Sequence, residues 1–315
     1  AIAPPIPVTE ISDDSRNIKK GDIFFACQGE TYHGLNFLES VIKNDAIAVI
    51  YEKPYDLSQL KSCTIPLIGV ENLREYMGEI ANRWYDFPSS DLEVIGITGT
   101  NGKTTVAWLI QQCLSLLGNK CGYIGTLGVG LKNLEKGRLT TPSCFELHKQ
   151  LSIFKEMGIK YVAMEVSSHA IEQDRISGIS FGATIFTNLS RDHLDYHGNF
   201  EAYSKIKAKL FLDIDSKIKI INCHDKFGRT LFKKINNKAI TVIKGQASLN
   251  HGEAYLSILS SKVSEFGHTV CIKSTWGEKD FFLPLMGEFN IENAAEGIAL
   301  ISAYEFDFKK ILLAM

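Results

Sequence analysis

The apolar positions of the chain follow two rhythms. Short apolar runs, rich in β-branched residues and bounded by polar turns, read as buried strands; longer runs with apolar residues every third or fourth position read as helices. Strands are expected at Gly21–Cys27, Ala46–Tyr51, Pro66–Val70, Val94–Thr98, Gly122–Gly128, Tyr161–Val166, Gly182–Thr187 and Ile218–Asn222, with a strand-rich polar stretch over 236–284. Helices are expected at Leu35–Asn44, Asn72–Tyr85, Ala107–Leu117, Cys144–Met157, Phe200–Leu212, Ala294–Tyr304 and Phe308–Met315. Leu73, Met77, Ile80 and Trp84 share a face of the second helix, Ser143 suits the cap of the fourth, and Asn290 or Asn293 suits the cap of the sixth. Strands alternating with helices imply crossover units and a mostly parallel sheet, whose sites collect at the carboxyl ends of its strands. The polar break Asp86–Asp91 divides the chain into a small α/β domain, 1–88, and a P-loop type, mostly parallel-sheet α/β domain, 89–315.

The second of these domains opens on Val94-Ile-Gly-Ile-Thr-Gly-Thr-Asn-Gly-Lys-Thr-Thr-Val106. A strand, a turn carrying Gly99 and Gly102 and a helix N-terminus make a phosphate cradle, because backbone N–H groups and the helix dipole converge on an anion. Lys103 is placed to reach the β/γ-phosphates and the Thr104 hydroxyl to ligate Mg²⁺. Ile97 stands where the strict Walker pattern has its first glycine, so this is a variant loop, Gly-Thr-Asn-Gly-Lys-Thr-Thr. The strand Tyr161–Val166 carries Glu165 near its carboxyl end, the usual position of a second Mg²⁺ anchor beside such a loop. The next strand runs into a loop crowded with Asp192, His193, Asp195 and His197. In the helix Phe200–Leu212, Lys207 shares the apolar face with Tyr203 and Phe211, away from Lys205 and Lys209. A snorkelling lysine would fit that pattern; so would a desolvated amine with a lowered pKa, available for chemistry.

Composition narrows the field. The 315 residues are 45% hydrophobic, enough for two cores, and the net charge of −2 with no basic tract excludes nucleic acid as the expected partner. Seven scattered cysteines without a CxxC pair read as buried thiols in a reducing cytoplasm. No apolar run approaches the roughly 20 residues needed to span a bilayer, and the N-terminus lacks the charged start of a signal peptide.

Together these residues resemble the Mur ligase family, most closely its MurE type, over nearly the whole chain. Residues 99–105 resemble the family's ATP loop (Gly99, Thr100, Asn101, Gly102, Lys103, Thr104, Thr105), and Met164–His169 the strand end that supplies a metal ligand, Glu165. Asn188 and the segment 191–197 resemble the ATP and second-metal loop, with His193 the ligand. Tyr203–Phe211 resembles the helix bearing the family's carbamylated lysine, which falls on Lys207. The resemblance implies Mg²⁺ held by Thr104 and Glu165, a second site held by Glu165, His193 and N6-carboxylysine 207, and adenine framed by Asn290 and Asn293. It implies that the small domain binds the UDP part of the substrate around Ser15 and Arg16, while Thr140, Thr141, Ser167, Gln173 and Arg175 hold its remainder. The implied reaction is ATP-dependent amide formation between UDP-MurNAc-L-Ala-D-Glu and a diamino acid through an acyl phosphate, with Lys103, Lys207 and His193 catalytic, in a cytoplasmic monomer. Two alternatives stay open: a MurF-type ligase adding D-Ala-D-Ala, and a nucleotide-binding fragment without turnover. The latter arises because the family's C-terminal, amino-acid-binding domain and its Asp-Asn-Pro-Arg type motif do not occur in this sequence.

Overall fold

The computed structural model describes residues 7–60, 63–190, 199–245 and 254–315. The chain forms two compact units. The first comprises Ala1–Phe87 with two later stretches, Ser143–Gln150 and Asp174–Ile179; the second comprises the remainder.

In the first unit, strands β1 (Ile11–Ser12), β2 (Ile23–Ala26), β3 (Ala48–Lys53) and β4 (Leu67–Glu71) form a parallel sheet in sequence order. Side-chain alternation splits its core over two faces. Phe24, Ala26, Val49 and Tyr51 pack with Leu35, Leu38 and Val41 on one side. Ile11 and Phe25 pack with Leu73, Met77 and Phe145 on the other. The short helix α1 (Leu38–Lys43) follows a 3₁₀ turn at Gly34–Phe37, and α2 (Leu73–Trp84) buries Leu73, Met77 and Ala81. Trp84 departs from the expected apolar stripe. Its side chain is at the rim, and its indole N–H donates to Glu10 Oε1 (2.9 Å).

Among the described residues the second sheet has eleven strands. Its parallel centre is β12 (Ile240–Lys244), β11 (Ser216–Asn222), β10 (Phe181–Phe186), β5 (Glu93–Thr98), β9 (Tyr161–Glu165) and β6 (Cys121–Gly125), in that spatial order. Antiparallel strands β7 (Gly128–Gly130) and β8 (Leu134–Glu135) flank one edge. At the other, β13 (Ala254–Ser264) pairs parallel with β12, and β14 (Gly267–Ser274) and β15 (Gly277–Leu283) complete an antiparallel meander. The central strands are buried along nearly their whole length, so their sequences read as unbroken apolar runs rather than alternations. One face is covered by α3 (Lys103–Leu116) and by the two last helices, Glu288–Ala303 and Phe308–Ala314, through Ile110, Leu114, Ile298 and Ile311. Strand β5 lies between β9 and β10, with Ile97 opposite both Glu165 and Ile185. The segments following β5, β9 and β10 therefore open at one carboxyl edge.

Two expected caps differ. The helix expected from Ala294 begins at Glu288 behind Gly287, so Asn290 and Asn293 are inside it and neither caps it. Gly287 starts the helix from a φ of 91°, a conformation that disfavours a side chain. Ser143 precedes the helix Cys144–Glu156 as expected and its carbonyl accepts from Leu147 N–H, but its hydroxyl donates to Asp13 Oδ1 (2.6 Å).

Candidate active site

The loop between β5 and α3 is held by backbone and short side chains. Gly99 and Gly102 take φ values of 151° and 86°. A Cβ on Gly99 would collide with Thr187 Oγ1, and one on Gly102 with Asn293 Oδ1, so only glycine fits either position. From the end of β10, Thr187 Oγ1 donates to Asn101 O (2.6 Å), and Asn188 brackets the same residue, accepting from Asn101 N–H (3.0 Å) and donating to Asn101 O (3.0 Å). Thr100 bonds the chain at Ser190 and lies 3.2 Å from the Tyr203 hydroxyl. Lys103 folds back over the loop, Nζ donating to the carbonyls of Gly99 (3.0 Å) and Thr100 (2.8 Å). Those two carbonyls hold the ammonium over the cradle, beside the helix N-terminus where an anion is favoured.

Glu165 is fully buried at the end of β9. Thr104 Oγ1 donates to its Oε2 (2.9 Å), Tyr123 O–H and Thr126 N–H donate to its Oε1 (2.6 and 2.8 Å), and Thr126 Oγ1 donates to Oε2 (3.2 Å). Burial, and then the bond to Glu165, push the Tyr123 hydroxyl well above its ordinary value, so it stays a proton donor. A carboxylate reached by four hydroxyl and amide donors, in hydrogen bond with the first threonine of a phosphate loop, has the oxygen donors that a hard divalent cation takes. Beside it, Thr141 Oγ1 donates to Glu165 O (2.8 Å) and accepts from Ser167 N–H (3.1 Å), and Thr140 and Thr126 hydroxyls lie 3.2 Å apart.

Lys207 is carried by the helix Phe200–Leu212, whose N-cap Asn199 accepts from Ala202 N–H. It is buried, 1% exposed, as its place between Tyr203 and Phe211 predicts. Its Nζ donates to Gly99 O (2.8 Å) and lies 4.7 Å from the Tyr203 ring centroid. Lys103 and Lys207 thus share one loop carbonyl. Asn293 reaches the loop at Gly102, and its Nδ2 donates to Asn290 Oδ1 (3.0 Å), while Asn290 Nδ2 donates to Met286 O (2.8 Å). Next to them Asn222 Nδ2, at the end of β11, donates to both Glu292 Oε2 (3.1 Å) and Glu296 Oε1 (2.9 Å). Burial holds the Glu296 carboxyl well above the usual range.

The expected site residues are therefore divided. Residues 99–105, Thr140, Thr141, Glu165, Ser167, Asn188, Lys207, Asn290 and Asn293 belong to the second unit, most of them at its carboxyl edge. Gln173 also belongs to that unit, whereas Ser15, Arg16 and Arg175 belong to the first. His193, with Asp192, Asp195 and His197, lies outside the described residues. Arg16 donates to both Asp14 carboxylate oxygens (2.7 Å each), with Ser15 between them at the carboxyl edge of the small sheet. On the same edge, Glu52 bridges two elements: Oε2 accepts from Gln28 N–H (2.9 Å) and Oε1 from Arg74 N–H (3.2 Å). His33 bonds the Glu52 carbonyl (2.9 Å), and Arg74 donates to the Gln28 carbonyl, so the loop 28–33 is clamped at its base.

Sequence reasoning missed Tyr123, Thr126, Thr187 and Glu52. Thr126 and Thr187 directly follow β6 and β10, and the strand-end rule could have flagged them; Tyr123 is in mid-strand, where an aromatic reads as core. Glu52 carried no local signal, because its partners are far away in sequence.

Two family descriptions match the chain: the Mur ligase family catalytic domain over residues 7–85 and the Mur ligase middle domain over 97–301. Among curated relatives, a UDP-N-acetylmuramoyl-L-alanyl-D-glutamate–2,6-diaminopimelate ligase of Coxiella burnetii is 37% identical over all of this chain and 65% of its own length. A protein of the same name from Aquifex aeolicus is 40% identical over 93% of this chain and 58% of its own. A solved structure bearing that name superposes with a TM-score of 0.78 at 30% identity, over 96% of this chain and 61% of the other. MurF from Acinetobacter baumannii, at 19% identity and a TM-score of 0.69, shares the fold. The chain spans about three-fifths of the length of these relatives.

Proposed function

This chain belongs to the Mur ligase family, and from that premise we propose that it is the substrate-activating part of an ATP-dependent ligase of the MurE type. The proposed reaction joins a diamino acid to the terminal carboxylate of UDP-MurNAc-L-Ala-D-Glu. The observation that carries the reading is the meeting of Lys103, Thr104, buried Glu165 and buried Lys207 around one phosphate loop. The relatives' printed names favour the diamino-acid ligase over the MurF type.

Phosphoryl transfer leaves a protein little covalent work; it must align the groups and neutralise developing charge. In this reading the loop amides of 99–105 cradle the β/γ-phosphates and the Lys103 ammonium leaves its two carbonyls for the γ-phosphoryl oxygens. Asn188 and Thr187 keep the loop in shape by their bonds to Asn101. Asn290 and Asn293 frame the adenine. Thr104 and Glu165 would hold Mg²⁺, which when bound supplies charge neutralisation at the phosphates. His193 and a carbamylated Lys207 complete the proposed second metal site. A carbamate on Lys207 Nζ would turn a buried cation into an oxygen ligand. Ser15 and Arg16 take the uridine end of the substrate, and Thr140, Thr141, Ser167, Gln173 and Arg175 hold its pyrophosphate, muramoyl and dipeptide portions. The carboxylate so presented attacks the γ-phosphorus, ADP leaves, and the acyl phosphate awaits the amine. The site of the proposed reaction is the cytoplasm; among the described residues no helix is long and apolar enough to cross a membrane.

The test is incubation with UDP-MurNAc-L-Ala-D-Glu, ATP and MgCl₂, trapping the acyl phosphate with hydroxylamine and measuring ADP. Hydroxamate formed with the dipeptide nucleotide and not with the tripeptide nucleotide is expected. Binding of ATP without hydroxamate would instead support a nucleotide-binding fragment.

A further inference from the structure

We propose that Tyr123, Gly125 and Thr126 form a seat that reserves one oxygen of Glu165 for the protein and leaves the other for the cation. The seat thereby sets a preference for a metal that takes a single carboxylate oxygen. The proposal rests on the reading of this edge as an Mg²⁺–ATP site.

The two oxygens of Glu165 are not equivalent. Oε1 accepts Tyr123 O–H (2.6 Å) and Thr126 N–H (2.8 Å), and the Tyr123 oxygen itself accepts from Leu127 N–H (3.4 Å), which leaves its proton for Glu165. The backbone N–H is fixed by the chain. The Tyr123 ring is fully buried and set edge-on to Trp108, with centroids 5.4 Å apart, so its hydroxyl has little freedom to turn away. Gly125 lies against the same oxygen: a Cβ there would be 2.5 Å from the Tyr123 hydroxyl and closer still to Oε1. Its missing side chain is the room in which the carboxylate sits. Oε2 meets only hydroxyls, Thr104 Oγ1 (2.9 Å) and Thr126 Oγ1 (3.2 Å). A threonine hydroxyl can rotate its proton aside and present a lone pair, so these partners can yield to a cation, whereas on Oε1 the Thr126 N–H is fixed by the backbone and the Tyr123 hydroxyl is held by Leu127 N–H.

The consequence is selective. Mg²⁺ demands near-ideal octahedral geometry with few carboxylate oxygens, whereas Ca²⁺ takes carboxylates through one oxygen or two and tolerates irregular shells. Two-oxygen ligation would pull Oε1 off both donors, so the seat handicaps Ca²⁺ and leaves Mg²⁺ untouched. Tyr123 is accordingly a positioning residue; it acts through Glu165 and touches neither nucleotide nor metal.

The experiment is calorimetric titration of the full-length protein, saturated with ADP, with MgCl₂ and separately with CaCl₂, for wild type and Tyr123→Phe. Phenylalanine keeps the buried ring and removes only the donor. The expected result is Ca²⁺ affinity raised three- to tenfold with Mg²⁺ affinity unchanged, narrowing the Mg²⁺/Ca²⁺ ratio. Equal changes for both metals, or none, would overturn the seat while leaving the nucleotide site intact. Should Tyr123→Phe fold poorly, a measurement that leaves Tyr123 in place decides. The infrared difference spectrum of the Mg²⁺–ADP complex against Glu165→Gln should show the widely split carboxylate stretches of one-oxygen ligation, and a narrow two-oxygen splitting overturns the proposal. ADP binding that is independent of metal in wild type would sink both the seat and the reading beneath it.

Discussion

Each unit builds a sheet with parallel strands, antiparallel only at the flanks of the larger one, and the carboxyl edges of the two are furnished by different means. In the second unit the edge is made locally. Seven consecutive residues, 99–105, supply loop, ammonium and hydroxyl, and the neighbouring strands add one carboxylate and two short polar side chains. In the small unit the edge is made by reach. Glu52, at the end of β3, ties the loop after β2 to the first turn of α2, and Arg74 ties that turn back to the loop. Phosphate needs backbone amides and a helix dipole, which a contiguous stretch provides. Holding an exposed loop needs long side chains spanning separate elements. The contrast teaches that an anion cradle is written in one line of sequence, while a shaped loop is written in several.

The sharpest way to break this comparison is Lys103→Ala. If the loop supplies its own electrostatics, no neighbouring residue can replace the ammonium at the γ-phosphoryl group. Acyl-phosphate formation should fall by about 10²–10³-fold, the loss typical for removing one preorganised charge stabiliser. Lys207 also donates to the Gly99 carbonyl, but with the carbamate proposed for it that side chain brings no positive charge to replace Lys103. Near-normal hydroxamate formation by the variant would mean that the chemistry is not organised by this loop.

Gly102→Ala tests the backbone side of the same edge. The φ of 86° and the approach of Asn293 both exclude a side chain. Strain of about 1–3 kcal/mol is expected from a non-glycine residue in such a conformation. ADP affinity should drop roughly tenfold, and calorimetry reads it directly.

The same division explains what could be read in advance. The α/β class, the parallel centre of the large sheet, the helix Phe200–Leu212 and the burial of Lys207 followed from apolar periodicity and one contiguous motif. Glu165 stood out as a carboxylate at a strand tip beside the loop; that it is buried and bonded to Thr104 is the structure's addition. Tyr123 was hidden because an aromatic in an apolar run is core by default, and its hydroxyl's partner is 42 residues distant. Asn290 and Asn293 looked like caps because asparagine favours helix starts. The helix begins earlier, behind Gly287, and their amides are spent on Met286, on each other and at the phosphate loop. Glu52 and the interleaving of Ser143–Gln150 and Asp174–Ile179 with the first unit depend wholly on tertiary contacts.

For the small unit, Glu52→Ala removes both bonds of the clamp at once. The N–H of Arg74, in the first turn of α2, and that of Gln28 lose their carboxylate, a change comparable to deleting a helix cap, about 1–2 kcal/mol. The expected outcome is weaker binding of UDP with ADP binding unaltered, since the phosphate cradle draws nothing from Glu52. Equal loss of both nucleotides would erase the distinction between the two edges.

The smallest effect concerns Glu296, buried at the second edge with its carboxyl held above the usual range by desolvation. The sign follows from proton linkage. The native state binds this proton more tightly than the unfolded chain does, so stability falls as pH rises from the ordinary carboxyl range toward the raised native value. Asn222 Nδ2 donates to Oε1, and a glutamine carbonyl can accept that bond unchanged. Glu296→Gln should therefore stabilise the protein on the order of 1 kcal/mol at pH 8 and by little at pH 4.5, where the wild-type group is already protonated. Thermal midpoints of both proteins across that range check it. A variant less stable at every pH would mean that the ionised carboxylate is used, and that this edge, too, is partly built by a long side chain reaching across elements.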